Sequence, residues 1–492
     1  MRVQWCICGC NFDPMMRMVK LMLAGVCIGL VTGAPLAQTD LLLHNVAKEL
    51  TVPWDLVWGP DNHIWCMEKT GRITRIHPDE GTVQEIHQIP GVYQSFDNSG
   101  AHAMMLHPDF PAQPYLYVNY TYSEFRGRLD KLTYSLSEGL VVASETLLDQ
   151  LPGNSSHNGS RLQEGPDGYM YFCTGDMYMA MIAQDVDNLG GKVLRMDWDG
   201  NPAPDNPFGN RVYSYGHRNP QGLTFSDSGH LYLSEHGPAN DDEVNRIVAG
   251  GNYGWPHVEG FCDTPEEASA CDSLAQIPPI AVWTPTEAPC GMSYFNHPSI
   301  PEWENTLLLC FLKQQHLKVL HLDDVGETVE SEEKMWQQEL GRLRDVLVAP
   351  NGRVFLATSN REINGWDFLA QDLDDRIVEV VNPQFDYDEL NPRSIREVFL
   401  EQVAAQTTAV DVLFPQPAHT DVSVLLDREV DEVSFTVFDT HGREVMGVDD
   451  MALPVPGLLN FSVAHLGSGV YILCVSTENG RSEALPLLVS RR

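Results

Sequence analysis

Positive charge is scarce in this sequence: 31 Lys and Arg stand against 68 Asp and Glu over 492 residues, a formal charge of -37. A chain this acidic repels nucleic acid and anionic lipid, so nucleic-acid partners are not expected. Long apolar runs are missing as well. None beyond the first 37 residues approaches the twenty or so needed to cross a bilayer as a helix, and no transmembrane segment is expected in the mature chain. Helical periodicity is rare, and no Cys and His spacing has the layout of a zinc site. The surplus carboxylates suit either cation binding or a solvated acidic surface, and charge alone names no substrate.

What is present begins with a targeting pattern. From Met16 the chain reads Met-Arg-Met-Val-Lys, then an apolar run from Leu21 to Val31, then small residues ending at Ala37. This is the layout of a secretory signal, so residues 1–37 are expected to be a signal region cleaved near Ala37. Residues 1–15 lie upstream of the pattern, and the true start is expected at Met16; a small metal-binding tail with Cys6, Cys8 and Cys10 is the other reading. Export leaves seven cysteines in a compartment where disulfides persist. Cys262 and Cys271 bracket a polar, acidic stretch and are expected to staple a loop. Cys66 and Cys173 sit in apolar runs and are expected to be buried thiols.

A turn followed by a short aromatic or β-branched run recurs six times. The copies lead into Ile64-Trp65, Tyr115-Leu116-Tyr117-Val118, Tyr169-Met170-Tyr171, Leu231-Tyr232, Leu307-Leu308-Leu309 and Val354-Phe355. Spacings of roughly 45 to 80 residues with abundant turn-forming Gly and Pro fit four-stranded blades carrying long loops. The expected fold class is all-β: a six-bladed β-propeller over residues 38–385, a linker over 386–410 and a small β-sandwich over 411–492. A pair of sandwiches or an irregular β array is the competing architecture. In a propeller the loops at one end of the central channel form a ligand basin, so chemistry is expected there.

Several loops carry residue types that do chemistry. Tyr213 to Gly222 packs His217, Arg218 and Asn219 among turn residues, and these cannot all face a core. Ser234 to Asn245 exposes carbonyl oxygens at Gly237-Pro238 beside several carboxylates, the hard donors Ca²⁺ prefers, without EF-hand spacing. An acidic solvated turn is the plain alternative. His157 sits in a polar turn just before a strand, where an imidazole can act as a general base; a lone His is more often structural. Arg342 and Arg344 fall at alternate positions of an expected strand, which would direct both guanidinium groups to one side for carboxylate recognition or for surface ion pairs. Lys313 ends the apolar run Leu307 to Leu312, where its ammonium can reach a central ligand.

Taken in order, these segments resemble the soluble aldose (glucose/sorbosone-type) dehydrogenases that use pyrroloquinoline quinone, from about Val52 to Val381. The marks are Val52-Pro53-Trp54-Asp55, Gly71-Arg72-Ile73, His107-Pro108-Asp109-Phe110, His157 to Leu162, Gly216 to Gly222, Glu235-His236-Gly237-Pro238, Gly251 to Pro256 and Arg342 to Val346. The resemblance implies a six-bladed propeller and a quinoprotein that oxidises an aldose at its anomeric hydroxyl to the lactone, passing electrons to an unidentified acceptor. It implies His157 as the base and Arg218 as the group polarising the quinone carbonyl. Arg218, Asn219, Lys313, Arg342 and Arg344 match cofactor-binding positions. Backbone oxygens of Gly237 and Pro238 match ligands of a Ca²⁺ that anchors the cofactor, and Glu243 and Tyr253 match a further calcium site. The stretch Asp97 to Ala103 departs from the family's Gly-Leu-Leu-Gly turn: Asn98 falls where Gln commonly faces substrate, and His102 could enter the basin.

The last 80 or so residues resemble sorting domains read by type IX secretion, through Phe414 to Ala418, Asp439 to Arg443 and Gly469-Val470-Tyr471. The resemblance implies passage through the secretion machinery to the periplasm, cell surface or exterior. Two other functions use the same fold: a propeller that has lost turnover and binds carbohydrate or protein, and a calcium-dependent lactone hydrolase. The base beside an Arg, Asn and Lys clamp argues against the first, and the Arg342 and Arg344 pair, where carboxylate metal ligands would be needed, argues against the second.

Overall fold

In the computed structural model, residues 39–95, 98–361 and 375–387 are described, together with seven strands and adjoining turns between 410 and 489. The signal region, most of the expected linker, Asp97, Pro415 to Ala418 and Thr440 to Arg443 lie outside the described residues.

Among the described residues, strands lying between Leu42 and Val381 form six four-stranded antiparallel sheets. Five are built from consecutive strands, opening with Pro53–Trp58, Ala101–Leu106, Gly159–Glu164, Pro220–Phe225 and Pro289–Phe295. The sixth comprises Leu343–Val348, Val354–Thr358 and Asp375–Val381, and takes its outer strand, Leu42–Leu50, from the start of the described chain. Every run singled out in the sequence is the second strand of one of these sheets. The Pro, Asp and Gly turns before those runs are therefore the hairpins that leave the opening strands.

The opening strands touch one another in cyclic order, the last of them against Pro53–Trp58, which is consistent with a propeller. The inner three strands of a sheet are mostly buried on both faces, as in Thr306–Phe311, because residues pointing either way meet a neighbouring sheet. Outer strands read differently: Val329–Met335 is Val-Glu-Ser-Glu-Glu-Lys-Met and mostly exposed, a charged edge that discourages further pairing. Apolar cores lie between adjacent sheets; one joins Cys290, Leu308 and Val319 of the fifth to Val346, Leu356 and Val378 of the sixth.

Each opening strand has a register irregularity at its first pairing: between Pro53 and Asp55, Ala101 and Ala103, Gly159 and Arg161, Pro220 and Gly222, Pro289 and Met292, and Leu343 and Asp345. A bulge breaks simple alternation and re-aims a side chain. The bulged positions include Trp54, His102, Gln221 and Arg344. A buried ion cluster links three sheets: Arg161 of the third pairs with Asp55 of the first and, at 3.2 Å, with Asp345 of the sixth.

The segment from Cys262 to Cys271 is disulfide-linked, as expected. It is not a loop, however: Pro265–Leu274 is an α-helix with Thr264 and Glu267 forming a capping box and Pro265 in its first turn. The Thr-Pro-Glu-Glu signal was legible. Cys66 and Cys173 are buried free thiols. Further along, Val410–Phe414, Asp421–Leu426 and Leu458–Ser462 form one sheet, and Glu432–Asp439, Glu444–Ala452, Gly469–Thr477 and Ser482–Val489 a second. Val422, Val424 and Leu459 of the first share a core with Val433, Phe435 and Leu473 of the second.

Candidate active site

His157 precedes the strand Gly159–Glu164 in a left-handed conformation (φ 56°) and is largely buried. Its Nδ1 lies 2.7 Å from Oδ1 of Asp176, whose Oδ2 accepts a hydrogen bond from Trp255 Nε1 at 2.8 Å. A carboxylate can only accept, so Nδ1 carries a proton, and in the neutral imidazole the lone pair is on Nε2. Nε2 makes no hydrogen bond among the described residues. The ring of Tyr178 lies against the imidazole, centroids 3.9 Å apart.

Arg218 and Asn219 come from the loop between the third and fourth sheets. The Arg218 Nη1 donates to the carbonyls of His236 and Gly237, both at 3.0 Å, and the guanidinium faces the Trp255 ring at 5.2 Å. Burial lowers the pKa of this guanidinium below its ordinary value. Asn219 Oδ1 accepts from the backbone of Gly159 at 3.1 Å and from Gln221 Nε2 at 3.2 Å; its amide nitrogen is 3.4 Å from His236 Nδ1. Gln221 Oε1 in turn accepts from Arg344 Nη1 at 3.4 Å. Three sheets are thereby connected through Arg344, Gln221, Asn219 and His236.

His236 is the node of this arrangement. Burial, with the positive charges of Arg218 and Arg344 and the imidazole of His157 nearby, depresses its pKa to about 3, so it stays neutral. Two buried polar atoms here, Arg218 Nε and His236 Nε2, have no hydrogen-bond partner among the described residues. A buried guanidinium N–H without an acceptor is costly in water-free surroundings and suits an anionic or carbonyl oxygen. Lys313 is exposed and donates to Thr286 Oγ1 at 2.9 Å; the backbone of Thr286 bonds the carbonyl of Ala239, next to Pro238.

Arg342 precedes the strand Leu343–Val348, and a register irregularity falls between Leu343 and Asp345. Both residues are buried. Arg344 rests on Trp54, with the guanidinium carbon 3.9 Å from the indole centroid, whereas the Arg342 backbone N–H is held by Asn360 Oδ1 at 2.9 Å. His102 is fully buried rather than open to the basin, edge-on to Trp54 at 5.0 Å, with its Nε2 on the carbonyl of Asn98; burial lowers its pKa to about 4. Asn98 is half-buried, its side-chain amide 3.3 Å from Ser156 Oγ, next to His157.

A small hollow beside Arg218 is lined by Gly237, Pro238, Glu243, Tyr253, Glu235 and Asp241, among others. Glu243 accepts from the backbone of Gly260 at 2.6 Å and from Asn245 at 2.9 Å; burial and the nearby Glu235 carboxylate raise its pKa. Tyr253 stacks on the buried His217 at 4.7 Å, and its hydroxyl donates to the Arg246 carbonyl at 2.7 Å. Among the described residues no three His, Cys, Asp or Glu side chains are grouped to hold a metal.

The family model for Glucose / Sorbosone dehydrogenase matches residues 50–365. The chain belongs to the glucose/sorbosone dehydrogenase family. Within it, the quinoprotein glucose dehydrogenase B of Acinetobacter calcoaceticus is 31% identical over 397 residues, covering 63% of this chain and 83% of that one. An aldose sugar dehydrogenase of Escherichia coli is 29% identical over 344 residues, covering 65% and 91%. The structure of the PQQ-bound aldose sugar dehydrogenase from Streptomyces coelicolor superposes with a TM-score of 0.62 at 32% identity, over 71% of this chain and 99% of that one. Residues 412–485 match the secretion system C-terminal sorting domain. No helix among the described residues is long and apolar enough to cross a membrane.

Sequence reading missed Asp176, Trp255 and Tyr178. Asp176 follows the strand Met170–Thr174 as Gly175-Asp176, and a single carboxylate after a strand carries no signal until the fold brings it under an imidazole.

Proposed function

We propose that this protein is an exported quinoprotein that oxidises an aldose at its anomeric hydroxyl to the lactone, with Asp176 and His157 as the proton-handling pair. The supporting observation is the imidazole itself: Asp176 bonds Nδ1 and Nε2 makes no hydrogen bond among the described residues, while the Asp176 backbone N–H bonds the carbonyl of Arg218 at 2.7 Å and the buried Arg218 Nε has no partner among them. We read the six sheets as six blades of a propeller closed by Leu42–Leu50, and the two C-terminal sheets as a β-sandwich serving secretion.

When bound, pyrroloquinoline quinone supplies the two-electron acceptor for the hydride leaving the sugar's C1. Arg218, Asn219, Lys313, Arg342 and Arg344 would hold it; their donors suit its carboxylates and carbonyl oxygens. Gly237 and Pro238 would offer backbone oxygens to a Ca²⁺, with Glu243 and Tyr253 at a further calcium position. His157 Nε2 removes the proton of the anomeric hydroxyl, and the Asp176 carboxylate stabilises the imidazolium that results. Arg218 places positive charge where negative charge develops. Asn98, beside Ser156, lies on the substrate side of His157. An external acceptor then collects the electrons.

The test is to purify the protein without cofactor, add the quinone and Ca²⁺, and follow dye reduction with a panel of aldoses. Stimulation by at least one sugar is expected. None with any sugar would favour a propeller of the same family that binds carbohydrate or protein without turnover.

A further inference from the structure

Tyr178 is a large aromatic side chain that the fold leaves 58% exposed while holding its backbone rigid. Met177 and Tyr178 are consecutive non-glycine residues in the left-handed region, at φ 53° and 60°. Each costs energy that persists only where the surroundings over-determine it. Here they do. Met177 N–H bonds the His157 carbonyl at 3.2 Å, Asn154 Nδ2 bonds the Met177 carbonyl at 2.8 Å, and Tyr178 N–H bonds Asp176 Oδ1 at 2.9 Å. At the far end of the same loop, the buried Lys192 ammonium donates to the carbonyls of Ile182, Ala183 and Gly190 at 2.8, 3.0 and 2.6 Å.

The loop so fixed presents Tyr178, Met179 and Met181 to solvent, at 58, 49 and 61% exposure. Exposed apolar side chains on a pinned, strained backbone beside a general base are a feature that stability does not explain. The Tyr178 ring covers a face of the imidazole at 3.9 Å and 32°. The Nε2 lone pair lies in the plane of the imidazole, so a phenol lying on the ring's face leaves the in-plane approach to Nε2 open.

We propose that Tyr178 is a specificity-determining positioning residue: its ring is the aromatic wall on which the C–H face of a pyranose rests while the anomeric hydroxyl meets His157 Nε2. The inference depends on the sugar-dehydrogenase reading above. A pyranose has hydroxyls around its rim and C–H groups on its faces, and an aromatic face beside a polar base matches that division. The ring contributes binding that is equal in ground and transition states, so it acts on KM more than on kcat.

The experiment uses the full chain loaded with quinone and Ca²⁺, as wild type, Tyr178→Phe and Tyr178→Asn. Asn tolerates the left-handed backbone; Tyr178→Gly is the second truncation should the Asn variant fail to fold. With the best pyranose substrate, Tyr178→Asn is expected to raise KM roughly tenfold with kcat within about threefold, and Tyr178→Phe to stay within about twofold of wild type. Quinone affinity of the cofactor-free protein, followed by quenching of intrinsic fluorescence, is expected to stay within about twofold in every variant. An unchanged KM in the truncations, equal losses in Phe and Asn, or a fall in quinone affinity would each overturn the assignment. If wild type turns over no pyranose, the sugar-dehydrogenase reading fails and this inference falls with it; turnover by wild type with no effect of truncation defeats this inference alone.

Discussion

The guanidinium of Arg344, from the sixth sheet, lies 3.9 Å from the indole centroid of Trp54, from the first. Both occupy bulged positions, so two irregular pairings far apart in sequence create one cation–π contact next to the seam where the ring of sheets closes. The contact fixes a side chain that would otherwise have several rotamers. Trp54→Leu is expected to weaken quinone binding roughly tenfold, as loss of a desolvated cation–π contact implies, with Trp54→Phe intermediate. Fluorescence titration of the cofactor-free protein checks it, using the remaining tryptophans.

For the base, His157→Ala should abolish turnover yet leave quinone affinity largely intact. Loss of affinity instead would make this residue a clamp. Asp176→Asn keeps the shape but favours the wrong tautomer, and kcat is expected to fall roughly a hundredfold to ten-thousandfold. Steady-state dye reduction measures both.

The buried Arg161 cluster sets a pH dependence. Asp55 and Asp345 share one guanidinium, Arg161, and burial holds the pKa of both carboxyls above its ordinary value. A raised carboxyl binds its proton more tightly in the folded chain. Its stabilising effect is therefore complete below the ordinary pKa of 3.8 and is lost as pH rises through the higher folded value. Asp345→Asn leaves one carboxylate for one guanidinium, so the fall in melting temperature on going from pH 4 toward 8 should become shallower. Arg161→Met strands both carboxyls and should cost about 3–5 kcal/mol near neutral pH. Thermal melts across that range distinguish the variants.

Calcium should act as a stabilising ligand. Adding it to chelator-treated protein is expected to raise the melting temperature in a concentration-dependent manner, by mass action on the folded state. Glu243→Gln should blunt that response, because the hollow beside Arg218 then loses a carboxylate. An unchanged response would remove Glu243 from the calcium assignment.

The repeat unit was legible because its grammar is local. A Pro, Asp or Gly turn followed by Tyr171-Phe172 or Val354-Phe355 states a hairpin wherever it occurs, and six such statements correspond to the second strands of six sheets. Site residues on exposed loops were legible for a similar reason: Arg218 and Asn219 among turn residues have few other places to go. Residues on strands were less so. Alternation predicts a common side for Arg342 and Arg344, but the register irregularity between Leu343 and Asp345 is not written in the residue types. His102 read as a basin candidate because its stretch departs from the family's turn, whereas it is fully buried, edge-on to Trp54. Asp176 and Tyr178 acquire meaning only through contacts with His157, 19 residues from the carboxylate in sequence.

The strand Leu42–Leu50 completes the last sheet through its pairing with Asp375–Val381, so the ring cannot lock until a segment synthesised near the beginning meets one made more than 300 residues later. Cleavage of a leader near Ala37 would leave this strand whole, whereas trimming on through Leu50 would unfasten the latch and leave Asp375–Val381 as a bare edge.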